Sequence, residues 1–370
     1  MRFTCEKSML VTGLNITGRT VAQKSALSSI EGILCKAEGL LSLTGYNMET
    51  AITYQVEAEI SDPGQCVLPA KLFGDIVRRL PEGPVTVVVD DNYKVSIRAG
   101  YSSFNISAES AEDYPELPDV GTGRSTVIPQ AALKELISGT IFAVSAENQG
   151  RPIHTGIKFE INEETVSAIA VDGFRLARRT YHTESPTGRE SSFVVPASAL
   201  KEVEKILQDG DEEVAFTLGG KHILFSIGPA TLICRLLEGD FLDWRKVVPT
   251  NCPVKLVANV ADLSSAIERV GLIVSEKYKS PVRCIFSDQV LYMKTNTTIG
   301  AAEDRCTIAG TGNDLEIGFN VRYLADALRV IPSEEVVLEL TNSLSPIIMT
   351  PAQEDKYDYS YMVLPVRIKN

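Results

Sequence analysis

Three histidines and seven cysteines are the groups with the readiest chemistry in the chain, and their spacing gives them little to do. His154, His182 and His222 stand too far apart for two to share one helical face, so each reads more simply as structural or solvated than as a metal ligand. The cysteines at 5, 35, 66, 234, 252, 284 and 306 are odd in number and never form a CxxC pair. That pattern fits free thiols in a reducing cytosol rather than a disulfide framework or a zinc site. Asp90-Asp91 precedes Asn92 as in a hairpin turn, while Glu163-Glu164 and Asp211-Glu212-Glu213 read as solvated turns rather than acid–base pairs. Phosphate-loop, dinucleotide-turn and nucleophile-elbow motifs are all missing. No catalytic residue, metal or cofactor is expected.

Charge offers a different kind of chemistry. The net charge is −12, which argues against a protein that grips nucleic acid with its whole surface. The predicted helices nonetheless carry about +4 between them, leaving about −16 for the rest of the chain. Lys71 and Arg78 lie seven residues apart, as do Arg322 and Arg329, so each pair falls on one helix face. One such pair is an ordinary solvated face. Its repetition points to a mildly basic surface, although Glu202, Glu204 and Asp326 interrupt it. The C-terminus is also unusual, because Tyr357 through Asn370 stays apolar almost to the end, where chains are normally polar and frayed. Two readings stand: an edge strand packing on the core, and a hydrophobic binding groove built from the tail.

The elements that must carry these residues repeat. An amphipathic helix begins near Pro69 and ends at Pro81-Glu82-Gly83, and its outline returns from Pro196 to Gly210 and from Asn320 to Pro332. The starts are 127 and 124 residues apart. A strand followed by a tight polar turn keeps that spacing at Leu43–Asn47, Ala170–Gly173 and Lys294–Asn296. A third marker, Glu112-Asp113-Tyr114-Pro115 and Gly239-Asp240-Phe241-Leu242, is again 127 apart. Each unit also has a first helix, at about 7–17, 130–145 and 262–279. Runs such as Val85–Val89, Val214–Leu218 and Val336–Leu340 are rich in β-branched residues and bounded by turn signals. Short strands outnumber helices without alternating with them, which predicts α+β domains with antiparallel sheets.

With 370 residues, 44% apolar and 23% charged, the chain is an ordinary globular composition too long for one core. Three domains are expected, at 1–122, 123–251 and 252–370, with short stiff joints near Gly121-Thr122-Gly123 and Asn251-Cys252-Pro253. No run reaches the roughly 18 apolar residues of a membrane span, and Met1–Lys7 lacks the order of a signal peptide. A cytoplasmic location is expected.

Four motifs, Val171–Ala177, Asp240–Pro249, Ile317–Leu324 and Met362–Ile368, together resemble the bacterial β sliding clamp family over essentially the whole chain. The resemblance implies three tandem clamp-type domains, with antiparallel sheets outside and two helices of each facing a central bore. Two chains would close head to tail as a homodimeric ring around duplex DNA, held without regard to sequence. It also implies a peptide groove between the second and third domains, used by the DNA polymerase III catalytic subunit, the clamp loader, and other polymerases and repair proteins. The chain would be an accessory subunit with no catalytic site of its own. Matching motif positions puts Val171, Gly173, Phe174, Arg175 and Leu176 at that groove, with Leu242, Lys246 and Val247 from the second motif. Asn320, Tyr323 and Leu344 join them, as do Met362, Val363, Leu364, Pro365, Val366 and Arg367 from the tail. Phe174 stands where the family often has His, Leu242 where Pro is common, and His154 at a usually apolar position. Lys24, Lys71, Arg78, Arg79, Lys201, Lys205, Arg322 and Arg329 are the expected DNA-facing cations. Phe104 and Ile106, with Leu272 and Ile273, are the expected apolar contacts of the dimer.

Two other readings remain. An enzyme with an unrecognised site would turn over DNA in a metal-dependent way. A scaffold would bind proteins through the tail and never encircle DNA, so it would not distinguish circular from linear duplexes.

Overall fold

The structure is a computed structural model that describes residues 1–121, 125–146, 151–183, 190–274, 280–353 and 357–368. Contacts gather it into two units. One joins Met1–Leu133 to Ser198–Leu236, and the other joins Lys134–Ala197 to Leu237–Asn370.

In the first unit, the valine run buries Val85, Val87 and Val89 in alternation, the period of a half-buried strand. This strand, Pro84–Val89, sits inside a five-stranded antiparallel sheet whose last strand is Ser102–Ser107. An eight-stranded antiparallel sheet runs from Ser125–Pro129 through Glu213–Gly219, His222–Ile227 and Ala230–Arg235 to Thr50–Val56, and ends on Gly64–Pro69. Helices α1 (Lys7–Thr17) and α2 (Ala70–Arg79) pack together over a core that includes Leu10, Leu43, Phe73 and Val77.

The second unit holds one continuous antiparallel sheet of twelve strands. It starts at Ser191–Pro196, Gly156–Ile161, Thr165–Val171 and Arg175–His182, continues through Tyr357–Val363, Ile347–Pro351 and Glu335–Leu340, and ends on Leu315–Phe319. Helix α3 is Gln130–Ser138 and helix α4 is Ala197–Ile206. Helices α5 (Val260–Gly271) and α6 (Val321–Leu328) pack against each other within the second unit. The side chains of Asn259 and Asn320 cap them, accepting from Asp262 N and Arg322 N.

The α+β expectation holds, with six helices among the described residues, but several boundaries move. The helix expected over 130–145 stops at Ser138: Gly139 N still donates to Glu135 O, and the close approach of Arg179, 2.6 Å from where a Cβ would stand, leaves room only for glycine there. Thr140 then folds its hydroxyl back onto Leu136 O at 2.7 Å and ends the helix. The helix expected over 262–279 begins earlier, at its Asn259 cap, and ends at Gly271; residues 275–279 lie outside the described residues. Thr122, Gly123 and the last two tail residues do so too. Lys294–Asn296 is no turn but the body of Val290–Thr297, pairing with Ala301–Glu303; the turn follows at Thr297, whose Oγ1 accepts from Ile299 N. The tail corrects the edge-strand reading. Tyr357–Val363 is an interior strand between Arg175–His182 and Ile347–Pro351, which explains its apolar composition.

Candidate functional site

The site grows from one hairpin turn. Asp172 Oδ1 accepts from Phe174 N at 2.9 Å and from Arg175 N at 3.1 Å, closing the turn through its own side chain. Gly173 takes φ +90°, a conformation that side-chain-bearing residues rarely adopt. This turn sends Phe174 outward, 61% exposed, and Leu176 inward, 1% exposed. Register does the rest: Val171 lies opposite Leu176, and Leu176 opposite Met362. Cross-strand partners share a face of the sheet, so these residues and Ile169 form one apolar floor. Phe241, Trp244 and Val248 pack against it.

Arg175 points to the opposite face and ties the turn to α6. Its guanidinium donates to Asp172 Oδ2 at 2.8 Å, Asp326 Oδ2 at 2.6 Å and Phe142 O at 2.5 Å. It also lies 4.4 Å from the centre of the Tyr323 ring. Burial pulls its pKa down, but Tyr361, Asp326 and Asp172 overcome that and hold it raised. Tyr323 stacks at 6.4 Å on the exposed Phe174, whose carbonyl accepts from Leu364 N at 2.8 Å.

Beside the floor lies a charged cluster that carries its aromatic wall. Trp244 Nε1 donates to Glu160 Oε2 at 3.3 Å, and Arg245 and Lys158 contact the same carboxylate at 2.8 and 2.7 Å. Burial alone would raise the Glu160 pKa, but hydrogen bonds from Arg245, Lys158 and Trp244 hold it down at about 2. His154 meets the Phe241 ring edge-on at 5.2 Å, and burial followed by the nearby Arg151 lowers its pKa.

Not every expected groove residue joins the floor. Leu242, Val247 and Leu364 are exposed apolar side chains, and Leu344 stands 80% exposed on the turn before Ile347. Val363 is fully buried, and Asn320 serves as the α6 cap. Lys246 pairs with Asp243 at 3.2 Å. Past Pro365 the chain crosses to another strand, Val366 N donating to Gly318 O at 2.7 Å. Val366 and Arg367 there line a separate cavity of about 1020 Å³ with Pro281, Arg283 and Lys294. Reading the sequence missed Ile169, Phe241, Trp244 and Val248. Phe241, Trp244 and Val248 carried a signal, since all three lie in the Asp240–Pro249 motif, whereas Ile169 carried none.

The expected cations are exposed: Lys24 before the Ser28–Glu31 turn, Lys71, Arg78 and Arg79 on α2, Lys201 and Lys205 on α4, Arg322 in the first turn of α6 and Arg329 at its C-terminal cap. Acidic neighbours temper them. Asp75 pairs with Arg78 at 2.8 Å and Arg79 at 3.6 Å, Glu202 with Lys205 at 2.7 Å, and Asp326 with Arg329 at 3.6 Å. Phe104 lies on the sheet-edge strand Ser102–Ser107, 41% exposed, while Ile106 leans on the core. Leu272, 83% exposed, and Ile273 follow α5. Among the described residues no acidic, His and Cys group is placed to hold a metal, and no helix is long and apolar enough to cross a membrane.

Comparison with known proteins accounts for the whole chain. Residues 1–118 match the model of the DNA polymerase III beta subunit N-terminal domain, 127–243 its central domain and 245–367 its C-terminal domain. The beta sliding clamp of Staphylococcus epidermidis is 30% identical over 378 aligned positions, covering 99% of each chain. The solved sliding clamp of Bacillus subtilis is 28% identical, with a TM-score of 0.93 and 100% of both chains covered. A Pseudomonas aeruginosa sliding clamp solved bound to griselimycin is 31% identical, again with a TM-score of 0.93 over 100% of both chains. With its three tandem antiparallel domains, the chain belongs to the beta sliding clamp family, the DNA polymerase III beta subunits, and is a DNA sliding clamp of replication.

Proposed function

We propose that two copies join head to tail into a ring around duplex DNA, each contributing domains 1–122, 123–251 and 252–370, in the cytoplasm. The ring holds a replicative polymerase to its template by topology rather than by grip. The α2, α4 and α6 cations, with Lys24, face the duplex. Half-neutralised by Asp75, Glu202 and Asp326, they attract phosphates weakly and without reading bases, which permits sliding. Two open strand edges support the closure. Ser102–Ser107 ends its sheet, and Gly300–Thr307 has only Val290–Thr297 beside it among the described residues. Unpaired edges are templates for another chain, and Phe104, Ile106, Leu272 and Ile273 would supply the apolar contacts beside them. The chain itself performs no catalysis.

The polymerase, the clamp loader and repair proteins dock through short apolar peptides that take the exposed apolar side chains beside the buried floor of Ile169, Val171, Leu176 and Met362, and that floor with its aromatic wall is the observation that carries the reading. Phe174, Leu242, Val247, Leu344 and Leu364 stand around it as exposed apolar contacts. Calorimetry with a synthetic peptide bearing a glutamine followed by leucines tests it. Leu176→Ala should weaken binding by roughly 2 kcal/mol or more, as truncation of a buried anchor does. Unchanged affinity in the folded variant would refute the site. Retention of the loaded protein on circular but not linear DNA tests the ring.

A further inference from the structure

The segment 240–248 walls the apolar floor, yet its own backbone does little to fix it there. It is irregular apart from the single turn Trp244–Lys246. The amides of Lys246, Val247 and Val248 close onto Asp243 O and Trp244 O, within the segment itself. Side chains make the attachment to the sheet. The indole of Trp244 meets two guanidiniums, Arg178 at 4.3 Å and Arg245 at 4.5 Å from its ring centre. Its N–H and Arg245 both end on Glu160, which Lys158 also contacts, and Lys158 in turn lies 5.8 Å from the centre of the Phe241 ring. One carboxylate thus gathers the groups that hold both aromatic side chains of the wall.

Register shows why this matters at the floor. Arg178 lies two residues beyond Leu176, on the same face of the sheet, and pairs across the strands with Ile169. The cluster therefore continues the floor rather than decorating a remote surface. We propose that Glu160 and Trp244 are positioning residues for the partner peptide, locking the 240–248 wall in its binding-competent place; this rests on the groove reading above. Neither residue need touch the peptide. Their effect comes through preorganisation, since a wall already fixed is not ordered at the expense of binding.

Trp244 is the only tryptophan in the chain, so its fluorescence reports this cluster without labelling. Titrating the full-length protein with the glutamine–leucine peptide should change its emission saturably, with the same midpoint as calorimetry. Glu160→Ala should move the emission of the free protein to the red and weaken the peptide about fivefold or more, mainly by faster dissociation. Glu160→Gln retains an acceptor for the indole and should recover part of both effects. Arg245→Ala, at an exposed partner, should act in the same direction and guards against a folding defect in the first variant. If Leu176→Ala loses the peptide while Glu160→Ala binds it at parental affinity with unshifted emission, the latch is overturned and the groove stands. If Leu176→Ala also binds normally, the groove reading fails and the latch falls with it.

Discussion

Replacing Arg175 by methionine preserves most of the side chain's volume and removes its charge. The guanidinium has charge-assisted bonds of 2.6 Å to Asp326 and 2.8 Å to Asp172, a bond to Phe142 O, and the face of Tyr323 at 4.4 Å. Methionine leaves both carboxylates without this partner in a partly buried place. Removing one side of a buried pair costs about 3–5 kcal/mol, but Asp326 is partly exposed and keeps Arg329 at 3.6 Å. That lowers the expectation to about 2–4 kcal/mol. Urea denaturation followed through Trp244 fluorescence reads the second unit directly, and hydrogen exchange should show reduced protection in Arg175–His182 and Tyr357–Val363. Asp326→Asn alone should cost less, and the two changes together should fall short of their sum by about 1–3 kcal/mol. A loss below about 1 kcal/mol, or strict additivity, would refute Arg175 as the tie between the turn and α6.

Reversing Lys71 and Lys201 to Glu should flatten the salt dependence of DNA association by about 3.6 in log–log slope, near 0.9 for each of the four phosphates that the two copies no longer neutralise, while peptide affinity stays at the parental value. An unchanged slope removes those two from the bore. The folded Glu160 pKa, about 2, lies below its ordinary 4.5, so its stabilisation is present in full above about 4.5 and lost as pH falls toward 2. Glu160→Gln should accordingly cost roughly 1–2 kcal/mol at neutral pH after allowance for solvent screening, and the gap from the parent should close between those two values in acid denaturation.

Much of this was legible in the sequence because the repeat carries local signals. The α2 helix shows its amphipathic face and its Pro-Glu-Gly stop, and the 170–173 turn shows its Asp-Gly pair. What escaped was set by distant partners. Gly139 and Thr140 offered a stop just after Ser138 that the apolar run beyond them masked, and only the approach of Arg179, forty residues on, shows why that position must be glycine. The tail's alternation of tyrosines fits an edge or an interior strand equally; only pairing on both sides decides it. At the site, the motif positions found the floor's Val171, Leu176 and Met362, but the Glu160 cluster joins residues from three stretches of sequence whose charges look individually solvated. Val366 and Arg367 lie past the crossing at Pro365, where Val366 bonds to Gly318, so their contiguity with Met362 in sequence does not carry them onto the floor itself.

The middle repeat contributes strands to both large sheets. Its Ala230–Arg235 strand is bonded to Thr50–Val56, and its Arg175–His182 strand to Tyr357–Val363. Each repeat is therefore hydrogen-bonded into its neighbour rather than closed on itself. Excised alone, residues 127–243 would keep a family signature and lose a bonded neighbour on each of two strands, baring backbone that invites aggregation. The same two ladders make the joints between repeats as hard to part as the interior of a sheet. In the proposed ring, a loader would then be left with the seam between the two copies, where the covalent thread does not run.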